Sequence, residues 1–308
     1  MALPAPHPPR GPDPRLAVVV ITHDGRARIG RCLERLSALP ERPQLIVVDN
    51  GSRDGSADLV AARFPEVELV RLERNRGAAG RNAGVAASRA PYVAFAEDDS
   101  WYEPGALAAA ADLFERHPQL ALVNAQVLVG RAGRPDPIHR DMVDSPLADE
   151  AGLPGYPILS FLEGASIVRR EAFEQAGGFD ARLGVGGPEE HLAAELLRHG
   201  WRLRYVPWVQ ARHAPQHGAP GELVRRLGLR NTLWFAWLRR PLGPALRWTL
   251  HVLASSPRNR TTLAGALAAL RGLPWVLRER RVLPADVERQ MALLDRQKRR
   301  SRARRYRD

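Results

Sequence analysis

The chain has 308 residues, of which 44% are hydrophobic and 26% are charged, so it can bury a sizeable core as one large domain or as one domain with an appendage. The formal net charge of +12 is unevenly placed, because residues 1–221 carry 25 basic and 28 acidic side chains whereas residues 222–308 carry 21 and 6. The slightly acidic body argues against a protein that wraps nucleic acid. The basic C-terminal quarter suggests contact with an anionic surface, either membrane headgroups or nucleic acid, and the alternative is a solvated arginine-rich tail.

The first 15 residues include six prolines and no apolar segment, which predicts a disordered leader rather than a signal peptide. The single cysteine, Cys32, excludes an internal disulfide and fits a reducing compartment. No apolar stretch reaches the roughly 18 residues that a membrane-spanning helix needs. We therefore expect a cytoplasmic protein that can lie on the inner face of the cell membrane without crossing it.

Strand-like runs alternate with helical patterns from residue 16 onward. The runs are apolar and rich in β-branched residues without polar alternation, as expected for strands that are buried on both faces. Alternation at this spacing predicts an α/β fold with a mostly parallel sheet, right-handed crossovers and flanking helices. The predicted strands are 16–22, 44–49, 67–72 and 92–96, and the predicted helices are 28–39, 56–63, 78–88 and 104–116.

Polar side chains follow three of these predicted strands. Thr22 ends the first strand, Asp49 ends the second, and Glu97, Asp98 and Asp99 follow the fourth. Because ligands of parallel sheets bind beyond the carboxyl ends of the strands, these positions indicate a site. Adjacent carboxylates repel one another unless a cation neutralises them, and oxygen ligands on a short loop suit Mg²⁺ or Mn²⁺ together with a bound diphosphate. The alternative is a solvated acidic turn that caps the next helix.

The segment NRGAAGRNAG, residues 75–84, is rich in glycine and could bring backbone amides and Arg81 close to a phosphate. It lacks the G-x-G-x-x-G fingerprint and the Walker lysine, which excludes a Rossmann dehydrogenase and a P-loop protein. Residues 130–157 are predicted to be a long irregular connection of the kind that often forms a lid or binds an acceptor. Beyond it, residues 161–180 predict a strand, a short helix and a glycine turn, and residues 188–207 predict a helix and a strand.

Residues 222–294 form a predicted helical extension. Its first part, LVRRLGLRNTLWFAWLRR, places Trp234 and Trp237 at helical spacing among arginines, which predicts a basic amphipathic helix that could bind an anionic membrane surface. The alternative is a helix that packs its tryptophan face onto the preceding domain. Residues 295–308 are predicted to be a basic disordered tail.

In this order, the segments resemble the inverting family 2 glycosyltransferases, which have the A-type nucleotide-diphospho-sugar transferase (GT-A) fold. The resemblance covers about residues 16–217, so residues 16–221 are the expected catalytic domain. It implies a nucleotide-diphosphate sugar as donor, a hydroxyl acceptor, and Mn²⁺ or Mg²⁺ as cofactor. The matching blocks are VVVITHDG, LIVVDNGSRDGS, NRGAAGRNAG, VAFAEDDSW, EGASIVRREAFEQAGGFD and PEEHLAAELLRHGWRLRYVP.

The resemblance also implies roles for individual residues of the donor site. Thr22 and Asp49 would line the nucleobase pocket, with Arg81 nearby. Asp98 and Asp99 would serve the ribose and the metal, with Asp99 as the direct metal ligand and Asp98 shared between the two.

Other positions depart from the family pattern or leave a choice. Glu97 stands where the family more often has Asp, and His213 matches a histidine that can contact the metal or a phosphate. Glu189 is the best match to the general base, and Glu190 is the alternative. Pro188 replaces an acidic residue that is common there, although proline suits the first turn of a helix. A carboxylate at this helix N-terminus is expected to favour its ionised form, which makes it an available but weak base.

The leading interpretation is a metal-dependent inverting glycosyltransferase that acts near the cytoplasmic membrane face on a lipid-linked glycan, a polysaccharide or a small natural product. One alternative, a sugar-phosphate nucleotidyltransferase, would carry a glycine-rich start with Arg and Lys after the first strand, which ITHDGRARIG does not match. The other alternative is a catalytically degenerate protein of the same fold that binds membranes or nucleic acid through its basic tail.

Overall fold

The computed structural model describes residues 12–130, 132–150, 152–214 and 221–300. Strand and helix alternate through the first part of the chain as predicted, because each apolar run forms a strand and each amphipathic segment covers a face of the sheet. A short 3₁₀ turn, Gly77–Gly80, precedes the third helix. The elements are β1 (Leu16–Thr22), α1 (Arg26–Ser37), β2 (Gln44–Asp49), α2 (Ser56–Arg63), β3 (Glu68–Arg71), α3 (Arg81–Ala87), β4 (Tyr92–Glu97), β5 (Ser100–Tyr102) and α4 (Ala106–Arg116).

The second part of the chain completes the sheet. In the described part of the predicted irregular connection, residues 130–157, there are one short helix and two strands of two residues each. A 3₁₀ turn, Glu163–Ala165, leads into the next strand. The elements are β6 (Leu120–Val129), β7 (Arg134–Pro135), α5 (Ile138–Val143), β8 (Tyr156–Pro157), β9 (Ser166–Arg169), α6 (Arg170–Gln175), α7 (Pro188–Arg198) and β10 (Arg202–His213).

One sheet contains all of these strands, in the order β3-β2-β1-β4-β9-β6-β10-β5 with β7 and β8 at its side. The first four strands are parallel neighbours, and β6 is parallel to β10. β9 is antiparallel to both β4 and β6, and β5 is antiparallel to β10, so the sheet is mixed. The register sets Thr22 opposite Asp49 and Ile21 opposite Glu97, which brings the polar strand ends to one edge. The predicted α/β class with flanking helices is confirmed.

Helices cover both faces of the sheet. Val18 and Val20 of β1 pack on the side of α1 and α4, where Cys32 is also buried, whereas Val19 packs on the opposite side. On that opposite side α3 lies very close to the strands, since a Cβ at Gly84 would lie 2.4 Å from Cγ1 of Val19. Burial on both faces explains why these strands are apolar throughout.

Five more helices form the C-terminal extension. The tryptophan face of the first one is covered: Trp234 is buried and donates its indole N–H to the Ala269 carbonyl at 2.9 Å, and Phe235 packs on Ala194 of α7. Of the two predictions for this helix, the structure therefore agrees with packing of its tryptophan face inside the protein. No helix in the described ranges combines the length and the apolarity needed to cross a bilayer. The helices are α8 (Glu222–Arg239), α9 (Leu242–Ser255), α10 (Arg260–Arg271), α11 (Leu273–Arg278) and α12 (Ala285–Arg300).

Helix α8 also holds the loop that leads into α7. Asn231 is buried, and its amide group is shared among the carbonyls of Leu183, Val185 and Gly186 at 2.9, 3.1 and 2.8 Å. Arg230 donates to the Leu183 carbonyl at 2.9 Å. The extension therefore fixes the backbone in front of α7.

The predicted chain ends need two corrections, and residues 1–11 and 301–308 lie outside the described residues. Within the predicted leader, Arg15 is held by an ion pair with Asp13 at 2.8 Å and by two acidic side chains of α4. At the other end, α12 continues past position 295, where disorder was expected. It is anchored there because Asp295 pairs with the buried Arg240 at 2.7 Å.

Candidate active site

Three strands bring Glu97, Asp99 and His213 together. β4 ends at Glu97, the chain turns directly into β5, and the pairing of β5 with β10 sets His213 opposite Ser100. The ligand atoms of the three side chains lie within 4.8 Å of one another. We call these three residues the acidic cluster. All three are predicted to contact the metal, whereas Asp98, which the resemblance assigns to both the ribose and the metal, is not part of the cluster.

The donor set of the acidic cluster suits a divalent cation. Oδ1 of Asp99 is buried and accepts no well-formed hydrogen bond, although Nε2 of His213 lies 3.4 Å away. Although 48% of the Glu97 side chain is exposed, desolvation raises its pKa. Arg81 acts in the opposite direction and lowers this pKa, whereas the carboxylates of Glu163 and Asp99 raise it. A cation would offset both effects, and two carboxylates with one imidazole are ligands that Mn²⁺ or Mg²⁺ accepts.

Asp98 lies apart from the acidic cluster and is bound by other side chains. The Thr22 hydroxyl donates to its Oδ2 at 2.7 Å, and Arg28 donates to both carboxylate oxygens, at 2.6 and 3.0 Å. Gly25 leaves the space for this contact, since a Cβ there would lie 2.0 Å from Oδ2. Thr22 and Asp98, which are predicted to bind different parts of the donor nucleoside, are therefore in direct contact. Arg28 was not predicted from the sequence. Its position two residues into α1, beyond the end of β1, was the available signal.

Asp49 lies at the end of the neighbouring strand and is also buried. Its carboxylate accepts the backbone N–H of Ser52 at 3.2 Å and so closes the turn after β2. The next residue, Asn50, donates to the Gly77 carbonyl at 3.0 Å and accepts the backbone N–H of Arg76 at 2.8 Å. Asn50 therefore ties the glycine-rich segment to the strand ends.

Arg81 joins the acidic cluster to a second carboxylate. Its side chain is only 3% exposed, and it pairs with Glu163 at 2.8 Å and with Glu97 at 3.2 Å. Buried arginine requires such partners, because an unpaired charge in the interior is very costly. Glu163 was not assigned by the sequence analysis, since an isolated acid in a short 3₁₀ turn carries no recognisable pattern.

Glu189 lies on the other side of Glu163, in the first turn of α7. Its carboxylate accepts the backbone N–H of Gly187 at 3.2 Å. Burial raises the pKa of Glu189 well above its ordinary value, and Glu163 and Glu190 raise it further. The expectation that the helix N-terminus would favour the ionised form was wrong, because burial and two neighbouring carboxylates outweigh the helix dipole. Pro188 occupies the first helical position without distorting it.

The chain is similar to known glycosyltransferases. The family described as "Glycosyl transferase family 2" matches residues 17–177. An N-acetylglucosaminyl-diphospho-decaprenol L-rhamnosyltransferase of Mycobacterium tuberculosis is 27% identical over 276 residues, which are 76% of this chain and 89% of the relative. A pre-mycofactocin glycosyltransferase of the same organism is 31% identical over 216 residues, which are 68% of this chain and 44% of the relative.

A solved structure shows the same fold. The mannosyltransferase PcManGT from Pyrobaculum calidifontis, in complex with GDP-Man and Mn²⁺, matches 92% of this chain and 87% of its own, with a TM-score of 0.56 and 20% identity. The fold of the chain is therefore GT-A. Together with the family match over more than half of its length, this shows that the chain belongs to glycosyltransferase family 2 and is a glycosyltransferase.

Proposed function

We propose that the chain is a metal-dependent inverting glycosyltransferase that moves a sugar from a nucleotide-diphosphate sugar to a hydroxyl acceptor. The observation that carries the proposal is a chain of contacts across the site. The acidic cluster contacts Arg81, Arg81 pairs with Glu163, and Glu163 adjoins Glu189, whose pKa is raised. A cation site facing one carboxylate base is the machinery that an inverting transfer requires.

On the donor side, we assign the acidic cluster to the metal and Thr22, Asp49 and Asp98 to the nucleoside. A divalent ion bound there would stabilise the negative charge of the departing diphosphate. Arg28 holds Asp98 through two hydrogen bonds, so the carboxylate is oriented in advance. Arg81 belongs to the same side, where its charge offsets that of the carboxylates around it.

On the acceptor side, we assign the general base to Glu189, with Glu190 as the alternative. Glu189 takes the proton of the acceptor hydroxyl while the hydroxyl oxygen bonds to the anomeric carbon. The bond from that carbon to the diphosphate oxygen breaks, and its electron pair leaves with the diphosphate. The raised pKa makes Glu189 a stronger base than an ordinary glutamate, which suits proton removal from an alcohol.

The relatives and the charge distribution support a proposal for the acceptor and the location. The name of one relative specifies N-acetylglucosaminyl-diphospho-decaprenol, and we propose a lipid-linked acceptor for this chain as well. The basic C-terminal quarter supports work at the inner, cytoplasmic face of the cell membrane.

The proposal is tested by thermal unfolding with UDP, dTDP and GDP, each with and without Mn²⁺. A ligand that binds only the folded chain stabilises it by about 2.7 kcal/mol at 100 times its Kd, so one nucleotide should raise the Tm, and only with the metal present. Asp99→Asn should remove the metal-dependent part of the rise, whereas Asp286→Asn, an exposed acid on α12, should not. If no nucleotide gives a metal-dependent rise, the proposed metal-dependent mechanism is refuted. When a nucleotide does give such a rise, a hydrolysis screen of nucleotide sugars identifies the donor.

A further inference from the structure

Helices α9 and α10 present leucines to the outside. The exposed leucines of α9 are Leu242, Leu246, Leu250 and Leu253, and those of α10 are Leu263, Leu267 and Leu270. Spacings of three and four residues place each set on one side of its helix. Together with Leu277 on α11 they make up eight of the 14 large apolar side chains that are exposed in the described part of the chain. We call the α9 and α10 leucines the leucine face.

Other sides of both helices are fixed inside the protein. Ala245 of α9 and Ala269 of α10 are buried, and a Cβ at Gly265 would lie 3.0 Å from the backbone of α8. The leucines therefore cannot turn inward without unpacking the extension. The two sets meet at the α9–α10 connection, where Leu253 and Leu263 line one groove.

The stretch of sequence that carries the leucine face contains charged side chains of only one sign. No Asp or Glu occurs between Leu223 and Arg278, although this stretch contains ten arginines. Arg247, Arg258 and Arg271 are exposed, and among the described residues they form no ion pair with a carboxylate. An apolar face edged by free arginines and lacking acids complements a surface that offers both an apolar interior and negative charge.

We propose that the leucine face docks on an anionic phospholipid bilayer, with the leucines below the headgroups and the arginines at the phosphates. A second copy of the chain is a poor occupant, because two such faces would bring arginines together with no acid to pair them. The proposal replaces the tryptophan face of α8, which is buried, as the membrane contact. It rests on the proposed function, since it names the surface through which the enzyme would reach a lipid-linked acceptor.

Vesicle flotation of the full chain tests the proposal, with phosphatidylcholine vesicles and with vesicles that contain roughly a third phosphatidylglycerol. The parent should float with the anionic vesicles only. Leu246→Glu with Leu267→Glu should lower the bound fraction about tenfold or more, because charges would enter the apolar layer. The matched control, Val282→Glu with Leu293→Glu, adds the same charge at exposed positions outside the leucine face and should float as the parent does.

Flotation is repeated at about 0.5 M NaCl, which screens contacts made by exposed charges alone. Any binding that remains at this salt concentration therefore comes from the leucines. Equal flotation of the two double variants, or no flotation of the parent, would overturn the proposal. So would a concentration-dependent dimer that the leucine variant abolishes while lipid binding is unchanged. Thermal unfolding with nucleotide and Mn²⁺ is run on every variant, because a preserved shift separates failure of lipid docking from failure of the proposed function.

Discussion

Replacing Glu189 by Gln should abolish transfer and, near neutral pH, stabilise the fold. Gln has the same shape and can still accept the N–H of Gly187, but it cannot take a proton. Burial raises the pKa of Glu189, and the carboxylates of Glu163 and Glu190 raise it further, so its ionised form is unfavourable in the folded chain. The substitution removes the base and the unfavourable charge together.

The two effects of this substitution have separate magnitudes. A general base contributes about 10²- to 10⁴-fold, so the barrier should rise by about 3–5 kcal/mol. For stability, an acid with a raised folded-state pKa binds its proton more tightly when folded. Below its ordinary pKa of 4.5 both states are protonated, and Gln brings no gain. As the pH rises further, Glu189 is deprotonated first in the unfolded parent. The free energy of unfolding of the parent then falls by about 1.4 kcal/mol per pH unit until the pH passes the folded-state pKa of Glu189.

The assay combines turnover with urea unfolding across pH. We expect Glu189→Gln to keep the nucleotide-dependent thermal shift, to lose kcat, and to unfold at a higher urea concentration than the parent at about pH 8 but not at about pH 4. Glu174→Gln, an exposed acid on α6, is the matched control and should leave both properties unchanged. Glu190→Gln, measured beside it, decides between the two candidate bases.

Two results would refute this reasoning. Full turnover in Glu189→Gln would remove Glu189 as the base. Lost turnover with a stability difference that does not change with pH would show that the carboxyl titrates as an ordinary glutamate, so its strength as a base would need another explanation.

Three further substitutions probe the surroundings of the site. Gly25→Ala should weaken nucleotide binding about tenfold by calorimetric titration, because its Cβ would displace Asp98, and unchanged affinity would remove Asp98 from the nucleoside site. Glu163→Gln should move the acidic limb of kcat/KM to lower pH, because Glu163 raises the pKa of Glu189, and an unmoved limb would contradict that coupling. Arg81→Met should cost on the order of 3 kcal/mol in urea unfolding by leaving two carboxylates unpaired, so a loss below about 1 kcal/mol would mean that the pair contributes little.

The fold was largely predictable where its signals are local. The apolar runs of β1, β2 and β4 and the helices between them follow from periodicity, and so does the meeting of Thr22 with Asp49, because parallel strands end at one edge. The position of β9 between β4 and β6, antiparallel to both, could not be predicted, since strand order depends on contacts between distant parts of the chain. In α8, periodicity identified an apolar face but not what covers it.

The site was also predictable only where its signals are local in the sequence. Runs of acids at a strand end are visible in the sequence, whereas ion pairs between distant residues are not. Arg28 lies 70 residues from Asp98, and Arg81 lies 82 residues from Glu163. The predicted direction of the pKa shift of Glu189 was wrong for a related reason. The effect of the helix dipole can be inferred from the local sequence, whereas burial depends on distant parts of the chain.

The shared amide of Asn231 has a consequence for how this chain evolves. It serves three carbonyls of the loop in front of the helix that carries Glu189, although Asn231 itself lies in the extension. A relative that replaced its extension would leave those carbonyls without a donor and shift the base, even if every catalytic side chain were kept. We therefore expect position 231 and the 183–186 loop to be inherited as one unit. The boundary near residue 221 separates two regions of the sequence, but the enzyme needs both of them to hold its active site.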